Sequence, residues 1–259
     1  MKIKWTIASD IDGTLVGDRK ALDRLTTRLR EARAAGLIML VLSTGRRLEQ
    51  VIDGIAVEGL PEPDAVLCQV GTEIYLPPLQ PTSIPMPAWR ERLLQDYARD
   101  EAESFLEGIE GLVMQPKAFN TELKASCYLD SCDDPEAAAS DIRRRVAPHA
   151  DRYQVVWSSG RDLDILPAAS GKGKAIRFLV EHLGLDTDHV VVAGDTGNDA
   201  TMFEEFGRGV VVGNAQQELV VLAKSLGVER AFLARQAYAA GVEEGLEYFG
   251  VLEPSKSSV

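Results

Sequence analysis

Two carboxylates close the first apolar run of the chain, in Ser9-Asp10-Ile11-Asp12-Gly13-Thr14. Ile3, Trp5 and Ile7 alternate with the period of a strand, and Gly13 before Thr14 is a break signal. In a period-two backbone Asp10 and Asp12 point to one side and repel, so a cation or a shared proton must hold them. A hard, oxygen-seeking ion such as Mg2+ suits such a pair. Taken alone, Asp12-Gly13 reads equally as a turn, with Asp10 a solvated strand end. Three later loops carry related groups: Ser43-Thr44-Gly45-Arg46, Ser170-Gly171-Lys172-Gly173-Lys174 and Gly194-Asp195-Thr196-Gly197-Asn198-Asp199. Carboxylates, a hydroxyl, backbone N–H groups and one ammonium are what phosphoryl transfer asks of a protein, which mostly positions groups and stabilises spreading negative charge. Alone, Lys172 reads as a solvated residue at a helix start, and Gly171-Lys172-Gly173 lacks the GxxxxGK[ST] spacing of a Walker loop.

Sequence-distant loops meet only if the elements before them are parallel strands of one sheet. Leu22, Leu25, Leu29 and Ala32 recur at helical spacing, and the unbroken run Leu37 to Leu42 reads as a strand buried on both faces. A third strand is expected over Asp64 to Val70, followed by the extended piece Glu73 to Leu76. This β-α-β-α-β start predicts a doubly wound, Rossmann-like α/β core with its functional loops at the carboxyl ends of the strands. Five prolines at 77, 78, 81, 85 and 87 then suggest a hinge. Beyond it the texture changes to a charged helix over Trp89 to Leu106, a strand over Leu123 to Leu129 and a helix opened by Asp134-Pro135. Two short strands, Tyr153 to Trp157 and Asp162 to Leu166, are joined by Ser158-Ser159-Gly160-Arg161. Residues 80–166 read as an inserted mixed α/β cap domain, interrupting a core of residues 1–79 and 167–259. The α/β rhythm resumes with a helix behind Lys172, the strand Val190 to Ala193 and further strand and helix units, ending in a loose polar tail, Ser255-Lys256-Ser257-Ser258.

With 259 residues the chain can bury a sizeable core, and its net charge of −12 argues against nucleic acid or an anionic membrane surface as partner. No apolar run approaches membrane-spanning length and Met1-Lys2-Ile3-Lys4 shows no signal-peptide pattern, so a cytoplasmic protein is expected. Cys68, Cys127 and Cys132 form no CxxC pair, and the three histidines are scattered, which leaves soft-metal chemistry and a His-based triad unsupported.

The four loops resemble, in order, strand context and spacing, the motifs of the haloacid dehalogenase superfamily of phosphatases. The resemblance implies that Asp10 is a nucleophile forming an aspartyl phosphate, and that Asp12 is a general acid and then a base. It implies that Thr44, Gly45 and Lys172 hold phosphoryl oxygens. Mg2+ would be bound by Asp10, Asp195 and the backbone carbonyl of Asp12, with Asn198 and Asp199 completing the phosphate and metal surroundings. A narrower similarity, to the sucrose-phosphate phosphatase family, is carried by Val70-Gly71-Thr72-Glu73-Ile74-Tyr75, Lys124-Ala125-Ser126, Ser158 to Pro167, Gly213-Asn214-Ala215-Gln216 and Ala240-Gly241-Val242. It implies hydrolysis of a small-molecule sugar phosphate, with sucrose 6-phosphate foremost and mannosylfructose phosphate as the alternative. Glu73, Lys124, Ser126 and Asp164 would then line a sugar pocket, although each reads equally as a structural charge or hydroxyl. A sugar phosphomutase and a non-catalytic partner of a glycosyl-phosphate synthase are the competing readings. The cap weighs against the first, and the presence of both Asp10 and Asp12 against the second, while association with a synthase can coexist with catalysis.

Overall fold

A computed structural model of the chain describes residues 3–158 and 160–254. Seven strands form one sheet: β1 (Trp5–Ser9), β2 (Ile38–Ser43), β3 (Ala65–Cys68), β4 (Glu73–Tyr75), β9 (Val190–Gly194), β10 (Gly209–Val211) and β11 (Ala231–Leu233). Four form a second: β5 (Val113–Met114), β6 (Ala125–Tyr128), β7 (Tyr153–Ser158) and β8 (Asp162–Pro167).

The larger sheet has the order β11-β10-β9-β1-β2-β3-β4 and is parallel except for β4, which runs antiparallel to β3. The chain leaves β1 for β2 and β3 on one side and returns to β9 on the other. β1 is therefore the switch point, where loops on either side diverge and leave a crevice. The strand period sorts side chains onto two cores: Ile7, Leu40, Leu42 and Val191 on one face, Ala8, Met39, Val41 and Val192 on the other. Leu25, fully buried from helix Arg19–Ala34, packs in the first of these. The second core continues without a break into the smaller sheet's apolar side, through Trp89, Leu93, Tyr97 and Ile165.

The smaller sheet is antiparallel with order β5-β6-β8-β7. Two expectations are corrected. The helix over Trp89 to Leu106 is two helices, Pro87–Leu94 and Arg99–Ser104. Between them Tyr97 turns inward to donate its hydroxyl to the Ile165 carbonyl at 3.0 Å, and Ala98 is extended with its backbone N–H bonded to the Tyr153 hydroxyl at 3.3 Å. These tertiary bonds outweigh local helix propensity. The strand expected to reach Val70 stops at Cys68, because Gln69 and Val70 adopt left-handed backbone angles (φ 52° and 60°). The turn expected at Ser159 and the polar tail at 255–258 lie outside the described residues.

Candidate active site

Three parallel strands deliver the chemistry to one edge. Asp10 follows β1, and its N–H donates to the Ala193 carbonyl of β9 at 2.9 Å. Asp195 follows β9, and Thr44 follows β2. Lys172 is the first residue of helix Lys172–His182 and has no solvent exposure. Its ammonium is saturated by three acceptors: Asp10 Oδ1 at 2.6 Å, Asp199 Oδ1 at 2.6 Å and Asn198 Oδ1 at 2.9 Å. Asp199 is equally committed, since its Oδ2 accepts the backbone N–H groups of Asp195 and Thr196 at 2.9 and 3.1 Å. Asp195 Oδ1 accepts the Thr14 hydroxyl at 3.2 Å. Among the described residues, the second oxygens of Asp10 and Asp195 have no donor.

Electrostatics follow from this geometry. Burial raises the Asp10 pKa to about 8; Lys172 pulls it down, and Asp199 and Asp195 push it up again. Burial, with Asp199 beside it, raises Asp195 to about 6. Burial opposes charge on Lys172, but the Asp10 and Asp199 carboxylates hold its pKa above the usual lysine value. Oxygens of Asp10, Asp195 and Asp199 lie within 4.8 Å of one another. An all-oxygen donor set with three carboxylates against one ammonium suits a hard divalent cation.

Asp12 stands apart from that cluster. Its carboxylate, 61% exposed, is gripped by Arg46, with Nε to Oδ2 at 2.9 Å and Nη2 to Oδ1 at 2.7 Å. Arg46 is held in turn by Glu58 at 2.7 and 2.9 Å, and the two acids raise its pKa further. The metal expectation for Asp12 concerns its backbone carbonyl, which this pairing of the side chain leaves untouched. The part played by Arg46 was missed, although it belongs to a quoted motif and β2 pairs with β1, which already places it beside the Asp10 loop.

A cleft of about 320 Å3 opens above these groups. Asp10, Asp12, Gly45 and Asn198 line one wall, and Lys124 and Asp164 the other. Lys124 Nζ lies 3.2 Å from Asp164 Oδ1, and the Ser126 hydroxyl donates to the same oxygen at 2.5 Å. The pairing Ser126↔Asp164 between β6 and β8 puts the two side chains on one side of the sheet. Gln115, which donates to Asp162 Oδ1 at 3.1 Å, and Tyr128 line the same wall and were not singled out from sequence. Thr44, Glu73 and Ser126 do not line the cleft. The Thr44 hydroxyl accepts the Arg46 N–H at 3.1 Å. Glu73 accepts the Tyr75 hydroxyl at 2.8 Å, and burial raises its pKa, with Tyr75 and Lys124 opposing. A larger cavity, about 500 Å3 between helix Arg19–Ala34 and residues 55–62, holds no comparable constellation.

The profile described as Sucrose-6F-phosphate phosphohydrolase matches residues 3–250. The chain belongs to that family. A mannosylfructose-phosphate phosphatase from Agrobacterium fabrum is 34% identical over 97% of this chain and 99% of its own length. Sucrose-phosphatase 1 from Nicotiana tabacum is 29% identical over 95% of this chain, which spans 59% of the tobacco protein. The solved sucrose-phosphatase of Synechocystis sp. PCC6803, in complex with sucrose and phosphate, superposes with a TM-score of 0.87 at 32% identity, covering 96% of this chain and 98% of that one. The haloacid-dehalogenase-like fold and the assignment as a phosphoric monoester hydrolase follow. Among the described residues no helix is long and apolar enough to cross a membrane.

One prediction arises from the backbone of the first loop. Gly13 has φ +79°, and a Cβ there would overlap the Asp195 carboxylate, 2.8 Å from its Cγ. Gly13→Ala is expected to displace Asp195 and to lower phosphatase activity by about 10²-fold or more. Titrating Mg2+ into the variant by calorimetry should show weaker binding than wild type; equal binding would show that Asp195 is not a ligand.

Proposed function

We propose that the protein is a Mg2+-dependent phosphatase that hydrolyses a disaccharide phosphate, with sucrose 6-phosphate its foremost substrate. The observation that carries this reading is the fully buried Lys172 holding Asp10 at the floor of a cleft whose opposite wall is polar and comes from the smaller sheet. At about 320 Å3 the cleft lies within the range of small-ligand sites, about 300–1,000 Å3. A second reading, mannosylfructose phosphate, is favoured by the Agrobacterium relative, matched over nearly its whole length.

In this account Asp10 attacks phosphorus, and the bond from phosphorus to the sugar oxygen breaks as Asp12 gives that oxygen a proton. Asp12 then takes a proton from a water that attacks phosphorus and releases Asp10. To do either, Asp12 must let go of Arg46, and its exposure leaves it free to turn. Arg46 stays held by Glu58 while it does so. Gly45 and Asn198 would meet the phosphoryl oxygens, Lys172 would reach one by giving up its bond to Asn198, and Thr44 would support the Gly45 loop from behind the cleft wall. Lys124 and Asp164 would face the sugar, with Ser126 and Glu73 behind them. The open oxygens of Asp10 and Asp195, with the Asp12 carbonyl, would hold Mg2+, and Asp199 would orient Lys172. When bound, Mg2+ supplies charge neutralisation for a phosphate dianion facing three carboxylates. Residues 80–166 act as a cap over the core of residues 1–79 and 167–259, excluding bulk water. The glucosylglycerol-phosphate synthase of Pseudomonas anguilliseptica contains a region similar to this chain over 31% of its length, which keeps a synthase partner within the proposal. A panel of sugar phosphates with Mg2+ tests the substrate: kcat/KM highest for sucrose 6-phosphate supports the reading. A monosaccharide phosphate turned over faster than any disaccharide phosphate refutes it.

The raised Asp10 and Asp195 pKa values give a second prediction. A carboxyl moved from 3.8 to about 8 on folding binds its proton more tightly when folded, so stability falls as pH rises through that window. The metal-free protein should therefore lose thermal stability between about pH 5 and pH 8, and Mg2+ should restore more at the upper end. Apparent Mg2+ affinity should rise up to about tenfold per pH unit below 8. Melting scans with EDTA and with Mg2+ check both signs.

A further inference from the structure

The turn that cuts β3 short joins several parts of the molecule. Gln69, Val70 and Gly71 are successively left-handed, with φ of 52°, 60° and 82°. A β-branched residue at such an angle is a genuine outlier and persists only where its surroundings over-determine it. They do so here. The Gln69 N–H donates to the Arg46 carbonyl at 3.1 Å and the Val70 N–H to the Thr44 carbonyl at 3.0 Å, fastening the turn to the loop of Thr44, Gly45 and Arg46. Gly71 lies against the start of the Lys172 helix, so close that a Cβ would come 2.6 Å from the Gly171 carbonyl carbon. The indole N–H of Trp89, in the first helix of the cap, donates to the Gly71 carbonyl at 3.1 Å. Finally, the buried side chain of Gln69 crosses to the cap, and its Nε2 donates to the Ala118 carbonyl at 3.2 Å. Beside it the Arg47 guanidinium lies 5.3 Å over the Phe119 ring. Ala118 and Phe119 belong to the cap segment that also sends Gln115 and Phe119 into the cleft wall.

We propose that Gln69 is a positioning residue that couples seating of the cap segment 115–120 over the cleft to the loop that carries Thr44 and Gly45, with Arg47 and Phe119 as a second strut. This rests on the sugar-phosphatase reading. A sugar leaving group needs the cap wall in place, whereas a small aryl phosphate needs only the core. Loss of the coupling therefore separates the two substrate classes, which a loss of folding would not.

Gln69→Glu keeps the size of the side chain but sets a carboxylate against the Ala118 carbonyl. Gln69→Met removes the donor; the Gln69 Oε1 has no partner among the described residues, so its loss orphans nothing further. Both variants should lose about tenfold or more in kcat/KM for the disaccharide phosphate and stay within about twofold for p-nitrophenyl phosphate. Hydrogen exchange of residues 115–120 should quicken relative to that of the larger sheet, while the melting temperature of Gln69→Met falls by no more than a few degrees. Parallel losses on both substrates, or no loss on either, would overturn the coupling. If the wild-type protein hydrolyses no sugar phosphate, the functional reading fails by itself. The exchange measurement then decides the joint, faster exchange in Gln69→Glu upholding it and unchanged exchange refuting it.

Discussion

Asp10→Asn is expected to lower phosphate release, from sugar phosphates and from p-nitrophenyl phosphate alike, by about 10⁴-fold or more. The amide is nearly isosteric and still offers Lys172 an oxygen, but it cannot form an acyl phosphate. What distinguishes this from damage to the fold is the accompanying stability. Asp10 is 5% exposed, and its pKa of about 8 means that ionising it costs the metal-free protein free energy above that pH. A neutral amide removes the cost. In EDTA at about pH 8.5, Asp10→Asn should therefore melt at or above the wild-type temperature while being inactive. Inactivity accompanied by a large fall in melting temperature would mean that Asp10 is chiefly structural.

Lys172→Met should damage both properties. The side chain reaches three acceptors from a site with no exposure, and removing its charge leaves Asp10 and Asp199 buried without it. Breaking one partner out of such a cluster costs about 3–5 kcal/mol. Activity should fall by about 10³-fold, the effect of losing a preorganised donor at developing charge. Mg2+ should return part of the stability, because it supplies countercharge, and little of the activity. Lys172→Arg should not rescue, since a planar guanidinium needs room that this pocket lacks. Chemical denaturation with and without Mg2+, beside initial rates, measures both losses; near-wild-type stability of Lys172→Met in EDTA would contradict the ion cluster.

The sequence made the sheet and its edge legible because the signals were local and physical. Unbroken apolar runs such as Leu37 to Leu42 mark strands buried on both faces, and parallel strands gather their carboxyl-terminal loops wherever they lie in the chain. Asp10, Lys172, Asp195 and Asp199 came together for that reason. What stayed hidden depends on tertiary partners. Val70 reads as strand by its side-chain type, and only the surrounding Thr44 carbonyl and the Lys172 helix turn it left-handed. The break at Tyr97 and Ala98 depends on Ile165 and Tyr153, more than fifty residues away. The grip of Arg46 on Asp12 depends on rotamers, which no spacing rule specifies. Of the proposed sugar contacts, Lys124 and Asp164 face the cleft as a buried pair, whereas Glu73 and Ser126 stand behind it.

The most direct measurement is to quench the protein in acid during turnover of a disaccharide phosphate with Mg2+ and to map the phosphoryl group by mass spectrometry. Running Asp12→Asn with p-nitrophenyl phosphate alongside lets the intermediate accumulate, because that leaving group departs without a proton while the water step still lacks its base. A phosphoryl group on the peptide containing Asp10 is the predicted result. Continued phosphate release with no phosphorylated protein in either reaction, or with the group on another residue, would contradict the account.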